Sequence, residues 1–189
     1  DIGLMKMLPG MTVINTCDYN QTKAATISVA EYKGPVYLRF GRPKVPNFTP
    51  INQDFNIGKG VKLIEGSDVT IVATGHLVWE AIDCAKKLKS EGISAELINI
   101  HTIKPLDKNI ILDSVSKTNC LVSAEEHNII GGLGESISSL LVKNNLSPME
   151  FVGVEDSFGE SGTPQELMKK YQLSSENIYL KCKKVISRK

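Results

Sequence analysis

Neither charge sign is in excess: 22 Lys and Arg against 21 Asp and Glu leave a formal +1 over 189 residues. A chain that tracks a phosphate backbone needs a basic face. The only basic cluster is the tail from Lys181 to Lys189, which a solvated terminal helix explains. Nucleic acid is therefore not an expected partner. Cysteine is scarce: Cys17, Cys84, Cys120 and Cys182 stand singly, without the paired spacing of a zinc site or a redox motif. Free thiols in apolar surroundings suit a reducing compartment. No apolar run approaches the roughly 18 residues that span a bilayer, and the first residues lack the regions of a signal peptide. The expectation is a cytoplasmic protein with no membrane partner.

What remains is an ordinary globular composition, 41% hydrophobic and 23% charged, sufficient for a real core. Ile2 to Leu8 reads as an apolar-faced helix without a lead-in, and the chain opens on Asp1 rather than Met, as though cut from something longer. Met11 to Ile14 follows Pro9-Gly10 as a short buried strand. Asp18 offers an N-cap for a helix over Gln21 to Glu31. Val36 to Phe40 is β-branched and aromatic enough for a strand. The Pro- and Asn-bearing stretch that follows reads as a linker.

Beyond it the pattern is regular. Strands are predicted over Asp68 to Thr74, Ser94 to Ile100, Asn119 to Ala124 and Met149 to Val154. Helices are predicted over Val78 to Ser90, Pro105 to Ser116, Leu133 to Lys143, Pro164 to Tyr171 and Ser174 to Ile186. Alternation of this kind implies right-handed crossovers and a mainly parallel sheet flanked by helices, an α/β fold. Three segments result: residues 1–45, the end of a first α/β domain with two strands and two helices; residues 46–60, a linker; and residues 61–189, a domain with a complete sheet.

The histidines invite chemistry and each has a plainer reading. His76 follows a strand and Gly75, where open parallel sheets bind ligands, and equally where a helix simply begins. His101 ends a strand beside Thr102. Glu125 and His127 would share one face of a strand, as a base with its orienting partner or as a polar sheet edge or subunit contact. Gly131-Gly132-Leu133-Gly134 opens a helix whose N–H groups could bind an anion, although close packing also explains the glycines. Thr163 caps the helix begun by Pro164.

The motifs resemble the transketolases, above all their split form in which the C-terminal half is a separate subunit. The matching blocks are Asp1 to Ile14 with Cys17-Asp18, Tyr37 to Pro43, Asp68 to Ala81, Ile98 to Asp107, Ala124 to Asn128 with Gly131 to Glu135, and Gly153 to Gly162. They run in order along nearly the whole chain. The resemblance implies that residues 1–45 are the C-terminal remnant of the pyrimidine-binding domain and residues 61–189 the transketolase C-terminal domain.

It further implies a parent enzyme dependent on thiamine diphosphate and Mg2+, moving a two-carbon ketol unit between sugar phosphates at the interface of a homodimer, with an N-terminal subunit or domain as partner. The family's cofactor-activating acid, its pyrimidine-stacking aromatics and its Asp-Gly-x-x-His segment match no block here. No catalytic, cofactor-binding or metal residue is therefore expected, and the chain alone is expected to bind no cofactor, to be inactive and to serve assembly. One site residue carries over: Arg42 matches the arginine that holds the substrate phosphate, a role its guanidinium fork suits. Arg39 points to nearly the opposite face. The 1-deoxyxylulose-5-phosphate synthases and the β subunits of 2-oxo acid dehydrogenases share the domain and stay open as alternatives, as does a purely dimerising module.

Overall fold

The computed structural model describes residues 1–41 and 44–189. Its centre is a five-stranded sheet in the order β3-β5-β4-β7-β8, made of β3 (Val61–Ile64), β4 (Val69–Ala73), β5 (Ala95–Asn99), β7 (Leu121–Asn128) and β8 (Met149–Val154). All neighbours are parallel except β3, which runs antiparallel to β5 at one edge. Helices α3 (Leu77–Ser90) and α7 (Ser175–Ile186) cover one face, α4 (Lys108–Thr118) and α5 (Leu133–Asn144) the other. The short helix α6 (Pro164–Lys170) carries the capping box of Thr163 and Glu166.

Strand β4 shows how the two faces are filled. Val69, Ile71 and Ala73 pack with Leu77, Cys84 and Leu88 of α3 and with Ile178 and Cys182 of α7. Val72 packs on the opposite side with Ile111, Val115, Leu133 and Ile137. Side chains alternate across a strand, so a strand covered on both faces reads as one continuous apolar run. The interruption at Thr70 is satisfied, its hydroxyl lying 2.6 Å from those of Ser114 and Thr118, which ties α4 to the sheet.

The first 45 residues supply α1 (Ile2–Met7), β1 (Thr12–Asn15), α2 (Tyr19–Glu31) and β2 (Val36–Arg39), with β1 and β2 parallel. The other neighbour of β1 is β6 (Thr102–Lys104), antiparallel and contributed from beyond residue 60. Lys104 Nζ also donates to the carbonyls of Lys6 and Leu8, closing the C-terminal end of α1. Ile2 and Val13 belong to the same apolar cluster as Val72 and Ile98.

Residues 46–60 form no helix or strand, yet they are held. Asp18, besides capping α2 through the Gln21 N–H, accepts from the N–H groups of Phe48 and Thr49 and from the Thr49 hydroxyl. Asn20 donates to the Thr49 carbonyl and Ser28 to that of Phe55. Phe48 lies against Trp79, and Phe55 against His101 with ring centroids 4.1 Å apart.

Candidate functional site

The strands β1, β2 and β4 deliver their carboxyl ends to one cleft of about 510 Å³. Its walls are Thr16 to Tyr19 and Thr22, Phe40 and Gly41, Lys44, Val45 and Asn47, and His76. Arg42, the sequence-predicted phosphate-binding residue, lies outside the described residues. Gly41 and Lys44, on either side of residues 42 and 43, both line the cleft.

Two of the cleft's polar groups, Cys17 and Asp18, are already engaged within the chain. Burial pushes the Cys17 thiol far up, with the charge of Asp18 adding to the effect, so Cys17 is no thiolate nucleophile. Asp18 is 4% exposed and both its oxygens are engaged. His76 occupies the N-cap position of α3 without a capping hydrogen bond. It stands beyond the end of β4, where α3 begins, and it lines the cleft.

The other histidines serve structure. His101 is 2% exposed beneath Phe55, and burial holds its imidazole at about 4, well below the usual range. Its Nδ1 lies 3.0 Å from the Thr102 hydroxyl. His127 Nδ1 donates to the Asn128 carbonyl at 2.7 Å, leaving Nε2 to accept from the Gly3 N–H. Nδ1 is 3.9 Å from Glu125, so the two share a face as expected but are not joined as base and orienter. Arg39 is bound to Asn15, Asp1 and the Glu126 carbonyl.

Sequence reasoning missed Glu125 as a structural group. Its carboxylate is fully buried and accepts from the N–H groups of Leu133 at 2.7 Å and Gly134 at 2.8 Å. The anion at the Gly131 to Gly134 helix start is therefore the chain's own. A Cβ on Gly132 would collide with this carboxylate, which explains the glycine. Lys6 is near enough to favour the charged form and donates to the carbonyls of Gly131 and Gly132. Burial nevertheless pushes Glu125 up to about 7 against these donors. The available signal was a helix opening on glycines, with no Ser, Thr, Asp or Asn to cap it.

Open parallel sheets bind ligands beyond the carboxyl ends of strands whose crossovers leave toward opposite faces. Here those strands are β4, followed by α3, and β7, followed by α5. The crevice between them holds residues of the first segment: the Asn15 carbonyl accepts from Thr74, Asn15 abuts Gly75, and Arg39 reaches Glu126. Among the described residues, no three His, Cys, Asp or Glu side chains gather into a metal site.

Residues 58–178 match the family model described as transketolase, C-terminal domain. The chain belongs to that family. Its relatives include the 6-deoxy-6-sulfo-D-fructose transketolase subunit SqwH of Clostridium sp. (strain MSTE9), 40% identical over 189 residues, all of this chain and 59% of that protein. A putative transketolase C-terminal section of Methanocaldococcus jannaschii is 42% identical over 181 residues, 94% of this chain and 56% of that one. The solved structure of a split gene transketolase, described as an inactive beta4 tetramer, superposes with a TM-score of 0.95 at 40% identity, over 98% of this chain and 61% of its own. The chain thus spans less than two thirds of the length of these relatives. No helix among its described residues is long and apolar enough to cross a membrane.

Proposed function

We propose that this chain is the C-terminal part of a thiamine-diphosphate-dependent transketolase that moves a two-carbon ketol unit between sugar phosphates in concert with an N-terminal partner. Family membership supports the reaction class, and the cleft at the ends of β1, β2 and β4 supports this chain's share in it. That share is to hold the substrate's distal end: the lining includes Lys44 and His76, while Cys17 is protonated and Asp18 is saturated. Arg42 grips the sugar phosphate. The cofactor supplies the carbanion chemistry when bound, and it and Mg2+ are held by residues outside this chain. By itself the chain assembles, as part of a homodimer, and is inactive.

The test is reconstitution. The chain co-purified with its N-terminal partner, thiamine diphosphate and Mg2+ should transfer a ketol unit from a ketose phosphate to an aldose phosphate, and the chain alone should not. Transfer from pyruvate with release of carbon dioxide would instead identify a 1-deoxyxylulose-5-phosphate synthase. Tight calorimetric binding of thiamine diphosphate and Mg2+ by the isolated chain would refute the division of labour.

A further inference from the structure

Charge is unevenly spread over a chain whose total is only +1. Between α1, α4 and α5 runs an open trough of about 610 Å³ whose lining carries four lysines, Lys6, Lys104, Lys108 and Lys143, against one carboxylate, Glu135. Elsewhere on the surface Lys62, Lys87, Lys117 and Lys170 each meet a carboxylate. Among the described residues Lys108 and Lys143 meet none, while Lys6 and Lys104 donate to backbone carbonyls. Burial lowers the Lys6 pKa; Glu125 and Glu135 oppose that, and Lys104 is close enough to add to it. Glu125 is itself engaged by the N–H groups of Leu133 and Gly134. The Lys6 and Lys104 ammonium groups thus repel, and an anion in the trough relieves both.

The floor is apolar. Ile103 and Leu140 are buried, and Leu106 and Leu112 pack half-buried against the cluster that holds Val72 and Ile98. On α5, Glu135, Ser139 and Val142 recur at i, i+4 and i+7 and share a face, so Val142, 69% exposed, prolongs the wall. Past Lys6 and Glu135 the surface continues into a second hollow of about 530 Å³ with exposed Leu4, Met7 and Ile130.

These features select an occupant. A second copy seated symmetrically would set lysines against lysines. A flat anionic bilayer would meet the lysines and miss the floor. A small ligand needs walls that bury most of its surface, which an open trough does not provide. The walls are helices whose backbone groups are already bonded, so no strand can add to them. We infer that this trough docks an acidic amphipathic helix of a partner protein, its apolar stripe on Leu106, Leu112 and Leu140 and its carboxylates against Lys104, Lys108 and Lys143. The inference is independent of the ketol-transfer reading.

The probe is a capped synthetic peptide of about four helical turns, with leucine along one face and glutamate on the others, compared with a scrambled peptide of the same composition. Titrated into the isotope-labelled full chain, the ordered peptide should shift the amide resonances of residues 104–112 and 135–144 and leave those of α3 and α7 in place. Lys108→Glu combined with Lys143→Glu should weaken binding about tenfold; both residues are exposed, so the fold is kept. Lys23→Glu combined with Lys33→Glu makes the same change in net charge at exposed positions away from the trough and should bind as wild type does. Ser139→Trp fills the trough from an exposed position and should weaken binding at unchanged charge. The inference is overturned if the scrambled peptide binds as tightly, if the Lys23 and Lys33 variant loses as much, or if the ordered peptide moves no resonance of the trough. It also falls if phosphatidylserine vesicles capture the chain through Lys108 and Lys143 while the peptide does not bind, which would assign the surface to a membrane.

Discussion

Replacing Glu125 with Gln should change how stability depends on pH, with a sign opposite to that of an ordinary ion-paired carboxylate. Burial raises the native pKa of Glu125 from 4.5 to about 7. The folded state therefore holds a proton that the unfolded state has lost between these values, and stability falls as pH rises through that window. The full term is about 3 kcal/mol, of which about 2.5 kcal/mol is lost between pH 5 and pH 8. Glu125→Gln does not titrate. It sets an amide N–H₂ against one of the two N–H groups of Leu133 and Gly134, a cost independent of pH. Urea unfolding of both proteins at pH 5, 6, 7 and 8 isolates the slope, because His101 titrates in both and cancels. A His127→Gln background removes the imidazole 3.9 Å away. Wild type should lose about 2.5 kcal/mol relative to the variant from pH 5 to pH 8. A flat difference would mean that Glu125 is ionised throughout, with its two helix-end donors and Lys6 outweighing burial, and would refute the reasoning.

Other perturbations test the remaining elements. Asp18→Ala removes four hydrogen bonds and should cost about 3 kcal/mol, with proteolytic nicking appearing within residues 46–60. Gly132→Ala drives a methyl group into the Glu125 carboxylate and should cost at least about 2 kcal/mol by thermal unfolding. Gly159→Ala, where a Cβ meets nothing within 4 Å, should stay within about 0.5 kcal/mol of wild type. In the holoenzyme, Arg42→Ala should raise KM for sugar phosphates by about tenfold or more, read as a KM rather than a kcat effect in steady-state assays.

The sequence foretold those elements whose burial leaves a mark on it. The apolar run of β4 stands where its residues place it, as do the Asp18 cap of α2 and, by cap chemistry rather than burial, the Thr163 cap of α6. Strands β3 and β6 were not anticipated. In β3, Val61 is exposed beside Lys62, so the edge strand lacks the apolar run of its neighbours. Strand β6 is three residues long, and its reason to exist is the edge of β1, some 90 residues earlier. No local pattern encodes such a pairing. The linker looked free because its fastenings are side chains outside it, Asp18, Asn20 and Ser28 among them. The site was half legible: His76 follows a strand as read and Gly41 lies in a matching block, whereas the cleft also depends on Lys44 and Asn47, residues that carry no motif of their own.

The pairing of β6 with β1 bears on how this protein can be recombined. A chimera joined near residue 60 would look reasonable, with a donor's sheet following the recipient's first segment. It would also exchange the neighbour of β1, the lysine that closes α1 and the apolar residues that meet Ile2 and Val13. Crossovers tolerated by the fold should therefore avoid separating residues 2–15 from residues 98–104, whatever the apparent domain boundary. The heritable unit is set by that ladder.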